Sequence, residues 1–145
     1  MKKLFLFVAV AAIAFSLNSC SKSDSSSSAG GKISFKVNGV SKTFTNAVAV
    51  ESTGSIFVEA YIGSAANPTE TVSFAVEASM TGSDAIYSFY YSNDTDDYSY
   101  GTAPFTRNVT RNTSALLRGT FSGSLNSDTS AATLPITEGS FDINR

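Results

Sequence analysis

Lys32-Ile33-Ser34-Phe35-Lys36-Val37-Asn38-Gly39-Val40-Ser41-Lys42-Thr43-Phe44 decides the fold. Ile33, Phe35 and Val37 alternate with Ser34 and Lys36, the period of a strand with one buried face. Asn38-Gly39 then interrupts, and this dipeptide suits a two-residue hairpin because both residues tolerate positive φ. With these two as the turn, Val37 falls opposite Val40 and Ile33 opposite Phe44. The returning strand is expected to carry Phe44, Val48 and Val50 on one face, so register and burial agree.

The same logic extends toward the C-terminus. Ile56, Val58, Ala60 and Ile62 alternate, as do Val72, Phe74, Val76 and Ala78, and the turn-rich stretch from Gly63 to Pro68 joins the two runs. Pairing Ala60 with Val72 also sets Val58 against Phe74 and Ile56 against Val76. Gly82-Ser83-Asp84 marks another turn, after which Tyr87, Phe89 and Tyr91 are expected to share a face. A short strand around Tyr98 to Gly101 returns from the polar segment Ser92 to Asp97. Thr102 to Asn112 shows no clear period and reads as a long loop or edge segment. Ala115, Leu117, Phe121 and Leu125 alternate with Gly119 and Gly123 on their face, which suggests close sheet approach or bulges. In the last run Leu134 and Ile136 are even while Phe141 and Ile143 are odd, so a bulge is expected at Gly139. Pro135 suggests an edge position or a break. The result is an all-β domain, an antiparallel β-sandwich or flattened β-barrel of about eight strands.

Composition narrows the chemistry. The chain has no histidine and one cysteine, Cys20. Intramolecular disulfides, zinc sites and Ser-His-Asp or Cys-His catalysis therefore lack their parts. Without Lys2 and Lys3, 8 basic residues face 12 acidic ones, a balance of 8 − 12 = −4. That sign argues against a nucleic-acid partner.

Before the domain lies a different pattern: Lys2-Lys3, an apolar run of 12 residues from Leu4 to Phe15, and Leu17-Asn18-Ser19-Cys20. The run falls short of the roughly 20 apolar residues that span a bilayer and has the layout of an export signal helix. Leu17-Asn18-Ser19-Cys20 resembles the bacterial lipobox, which implies cleavage between Ser19 and Cys20 and lipid on the Cys20 thiol. The expected organisation is a signal peptide at 1–19, the lipidated Cys20 with a disordered Ser/Gly-rich tether at 20–31, and a single all-β domain at 32–145. Lys22 and Asp24 partly resemble a surface-export signal of Bacteroidota lipoproteins. Val37-Asn38-Gly39, Gly119-Thr120-Phe121-Ser122-Gly123 and Ile136-Thr137-Glu138-Gly139-Ser140-Phe141-Asp142 together resemble uncharacterised Bacteroidota lipoproteins with a small β domain. The resemblance implies a protein of the cell envelope, lipid-anchored to the outer membrane on its periplasmic or surface face, and no catalytic residues or cofactors.

Five of the six tyrosines fall between Tyr87 and Tyr100. Tyr87, Tyr91, Tyr98 and Tyr100 with Asp94, Asp96 and Asp97 form the candidate ligand surface, since aromatic faces beside carboxylates suit a glycan. The same acids suggest an irregular calcium loop, although Ser99 and Phe105 stand where an EF-hand needs glycine and glutamate. The alternative is a strand core with a solvated hairpin tip. Glu59 and Glu77 share a face but lie about 13 Å apart in the expected register. A glycosidase pair needs roughly 5 to 9.5 Å. Arg107, Arg111 and Arg118 are candidates for an anion patch. The leading expectation is a non-enzymatic binding or structural module held at the membrane, with a glycan or an envelope protein as partner. A glycan- or calcium-binding accessory module at 87–100 is the alternative, and a carboxylate- or Ser-based hydrolase is the remaining enzymatic one.

Overall fold

The computed structural model describes residues 28–145, so the signal segment and Cys20 lie outside the described residues. Nine strands and no helix occur among them: β1 (Ser28–Val37), β2 (Val40–Ser52), β3 (Ser55–Ser64), β4 (Asn67–Glu77), β5 (Ile86–Asn93), β6 (Asp97–Ser99), β7 (Phe105–Asn112), β8 (Leu116–Ser127) and β9 (Thr133–Asn144). β1 begins inside the stretch read as tether, where Ser28 and Ala29 already pair with Ala49 and Val48.

All pairings are antiparallel, in the order β6-β5-β4-β3-β2-β1-β9-β8-β7, and β6 also pairs with β8. That last contact closes eight strands into a barrel, with β7 as an extra strand on β8. Both expected hairpins form in their expected registers: Ile33 opposite Phe44, Val37 opposite Val40, and Ala60 opposite Val72. Asn38 and Gly39 take φ of 48° and 81°, the left-handed pair that matches strand twist in a tight hairpin.

Three local irregularities decide which side chains enter the barrel. Between Ile33 and Gly31 of β1, the partner strand advances from Phe44 to Ala47, one residue too many. Ala47 and Ala49 are therefore buried, and Val48 and Val50 turn outward instead of following Phe44. In β5, Ser88 pairs with Ala75 but Ile86 with Val76, so Tyr87 is bulged out and half exposed while Ile86 fills the interior. In β9, the parity change is real, yet Glu138 rather than Gly139 takes positive φ, at 53°. Gly139 points inward, where a Cβ would strike the Phe121 ring. The stretch read as aperiodic contains β7, whose Phe105 and Val109 are buried against β8.

Two smaller readings also change. Ala115 precedes β8 and is exposed. Pro135 lies in β9, which runs between β1 and β8, but β1's ladder stops at the neighbouring Ile136. The ring therefore replaces no interstrand donor.

Aromatic side chains fill the interior. Phe89 and Phe121 lie 4.7 Å apart between ring centroids, Phe74 and Phe141 4.9 Å, and Phe35 and Phe44 5.5 Å. Offset and edge contacts of this kind add to area burial. Gly119 leaves room for this packing, since a Cβ there would meet the Phe141 ring and the Asn108 carbonyl.

Candidate functional site

The Tyr/Asp segment is divided by β5 and β6 into groups that do different work. Tyr91 is buried inside the barrel, directly opposite Tyr98 in the ladder, and their rings stack at 6.3 Å. The Tyr91 hydroxyl donates to Glu70 Oε2 at 2.7 Å, and Lys42 Nζ donates to Glu70 Oε1 at 2.5 Å. Lys42 faces inward because it lies opposite Phe35, and Glu70 because it lies opposite Ile62. These three groups form a half-buried polar plug at one end of the interior. Burial, and then the Glu70 carboxylate, hold the Tyr91 hydroxyl well above the usual tyrosine range.

Tyr100 packs on Phe105 at 5.8 Å, and the Arg107 guanidinium lies 4.3 Å from the Tyr100 ring centroid. Arg107 also donates through Nε to the Ile86 carbonyl, tying β7 to β5. Arg118 pairs with Asp142 at 2.6 Å. Two of the three arginines considered for an anion patch are thus engaged in separate structural contacts.

The acids close a turn. Asn93 Oδ1 accepts from the backbone N–H of Thr95 and Asp96 at 2.9 and 3.1 Å, an Asx-type turn. The Asp96 carboxylate accepts from the Ser127 hydroxyl and, at 2.8 Å, from Thr129 Oγ1, which joins the β5–β6 turn to the β8–β9 loop. The Ser127 hydroxyl, then Thr129, lowers the Asp96 pKa, because both bonds favour the charged form. Asp94 and Asp97 are exposed beside it. Among the described residues no group of three or more His, Cys, Asp or Glu is arranged to hold a metal ion. The segment is mostly fold-forming: Tyr91, Tyr98 and Tyr100 pack on the core and Asp96 ties two loops, while Tyr87 points away from them all.

The outward face of β2 to β5 holds what the sequence reading did not single out. Val50, Phe57, Ala75 and Ser88 form one row across the four strands. Val48, Glu59, Ser73 and Tyr90 form the next. Phe57 and Tyr90 are each 50% exposed and stand on either side of the small residues Ser73 and Ala75. The result is a trough of about 370 Å³ with aromatic walls and a floor of small side chains. A second recess of about 240 Å³, bordered by Tyr61, Pro68 and Thr71, meets it at Val48 and Glu59. Outward alternation in β3, with Phe57, Glu59 and Tyr61 two residues apart, was the available signal. The β2 bulge that turns Val48 and Val50 outward was not legible. Glu77 lies opposite Ser55 and Glu59 opposite Ser73, the register that keeps these two acids too far apart to act together.

No family model matches this chain, and neither a curated protein nor a solved structure matches it.

Proposed function

We propose that this is a lipid-anchored protein of the cell envelope, with lipid on Cys20 and a β-barrel that acts as a non-enzymatic binding or structural module. The observation that carries the reading is the lone cysteine at the end of Leu17-Asn18-Ser19-Cys20, behind a charged start and a short apolar run. Two or three acyl chains, at about 0.8 kcal/mol per buried methylene, give lasting attachment where a single chain does not. Seven Ser-rich residues, 21–27, separate Cys20 from β1.

The non-enzymatic half of the proposal draws on the interior and its polar groups. Lys42, Glu70 and Tyr91 satisfy one another, Asp96 is occupied by two hydroxyls, and the chain has no histidine to move protons near neutral pH. Metabolic labelling with radioactive palmitate tests the anchor. The wild-type chain takes up label and Cys20→Ala does not. Label retained by Cys20→Ala, or a free thiol on the protein purified from cells, refutes it.

A further inference from the structure

The trough on β2 to β5 has a chemistry that neither the core nor the anchor requires. The carboxylate of Glu59 and the hydroxyls of Ser73, Ser88 and Tyr90 line it without a protein partner among the described residues. Elsewhere Glu51, Glu70, Glu138 and Asp142 each hold a cation. No lysine or arginine lines either recess, so an anionic ligand would find no counter-charge. A flat apolar partner would strip water from Glu59 and the serines and return no hydrogen bonds, a net loss. The fitting ligand is neutral, carries apolar faces for the rings and brings many hydroxyl donors to the carboxylate.

We propose that this trough binds an extended oligosaccharide, whose rings stack on Phe57, Tyr61 and Tyr90 while its hydroxyls bond to Glu59, Ser73 and Ser88. The dimensions agree. Phe57 and Tyr90 lie two strands and one row apart, about 12 Å on the sheet, and Phe57 and Tyr61 are four residues apart on β3, about 13 Å. Each span exceeds one sugar ring, and a trough of 370 Å³ lies within the usual range for small-ligand clefts. The two recesses meet at Glu59, so the acid sits midway along a ligand that crosses both. This inference names a ligand class for the barrel and does not depend on lipid at Cys20; a failed palmitate label and a failed sugar titration are separate results.

The test is calorimetric titration of the full chain in dodecylphosphocholine micelles, a detergent without a sugar headgroup. The probes are soluble hexamers of β-1,4-glucose, β-1,3-glucose, β-1,4-xylose and β-1,4-N-acetylglucosamine. At least one is expected to bind. Phe57→Ala and Tyr90→Ala each weaken that binding about fivefold, the worth of one stacking contact. Glu59→Gln weakens it by a similar factor with no change in melting, whereas Tyr87→Ala, half exposed but outside the trough, leaves it within about twofold. Absence of heat with all four hexamers overturns the proposal, as does binding that survives the Phe57→Ala/Tyr90→Ala double variant. A sedimentation change from dimer to monomer in Phe57→Ala also overturns it, because the surface is then a contact between copies.

Discussion

Replacing Gly119 by alanine adds one methyl group to a crowded part of the barrel wall. Gly119 lies on β8 opposite Phe141 of β9 and Val109 of β7. The new Cβ would overlap the tip of the Phe141 ring and the backbone carbonyl of Asn108. The ring can tilt, but the carbonyl belongs to the β7 backbone, so relief requires moving a strand. Overpacking of this kind costs about 1–3 kcal/mol, and an immovable backbone atom puts it near 3. Removing glycine's freedom from the unfolded chain returns about 0.7 kcal/mol, which leaves a net loss near 2. For a domain of this size each kcal/mol lowers Tm by about 4 °C, so Gly119→Ala melts about 8 °C below the wild type. In urea, the midpoint falls by about 1 M at an m-value near 2 kcal/mol/M. Far-UV circular dichroism reads both transitions. Gly39→Ala is the comparison: its φ is 81° but its Cβ meets nothing within 4 Å, so backbone strain of about 1–2 kcal/mol is the whole effect. A Gly119→Ala protein that melts at or above the wild-type temperature refutes the packed interior described here.

Two further outcomes concern titrating groups. Folding raises the Tyr91 pKa, so the unfolded chain loses this proton first, above about pH 10, and the stability present below that pH falls as pH climbs. Absorbance titration at alkaline pH, read as the difference between the wild type and Tyr91→Phe, is expected to show Tyr91 protonated until unfolding, and Tyr91→Phe to cost about 1 kcal/mol at pH 7. Asp96 has the opposite sign: its pKa is depressed on folding, so its contribution is complete above about pH 4 and fades as the carboxylate protonates below it. Asp96→Asn should melt below the wild type at pH 7, and the two melting curves should converge in acid; a constant gap across that range would contradict the loop tie to Ser127 and Thr129.

Much of the fold was legible because hairpin registers follow from period and turn chemistry. Ile33 opposite Phe44 and Ala60 opposite Val72 needed only alternation and a turn between. What escaped were the single-residue insertions in β2 and β5, while the one in β9 was expected from its parity change but placed at Gly139. In β2 the sequence Ala47-Val48-Ala49-Val50 is apolar on both parities, so nothing in it tells which pair faces the core; the extra residue after Phe44 does. Glu138, a residue with no intrinsic liking for positive φ, takes the bulge because Gly139 is needed against Phe121. The Tyr/Asp segment stood out by composition, but Tyr91, Tyr98 and Tyr100 are there to pack, whereas Phe57 and Tyr90 occupy outward positions that alternation alone did not mark as a site. Closure also lay beyond reach, since the contact of β6 with β8 spans two pairs, Tyr98 with Ser127 and Ser99 with Asn126.

That short contact has a mechanical consequence. β3 and β4 are joined along ten paired positions, whereas β5 meets β6 at three and β6 meets β8 at two. Beyond Ser99 the gap is bridged by the Tyr100 N–H to the Phe89 carbonyl, by Arg107 on Ile86 and by rings in between. The cylinder is therefore a curled ribbon fastened by a small clasp. Undoing the clasp frees the flank of β5 with its unpaired amides, the kind of raw margin along which two molecules exchange strands or stack into fibrils. The hazard of misassociation is concentrated in that one place, and the aromatic packing beneath it keeps the ribbon rolled.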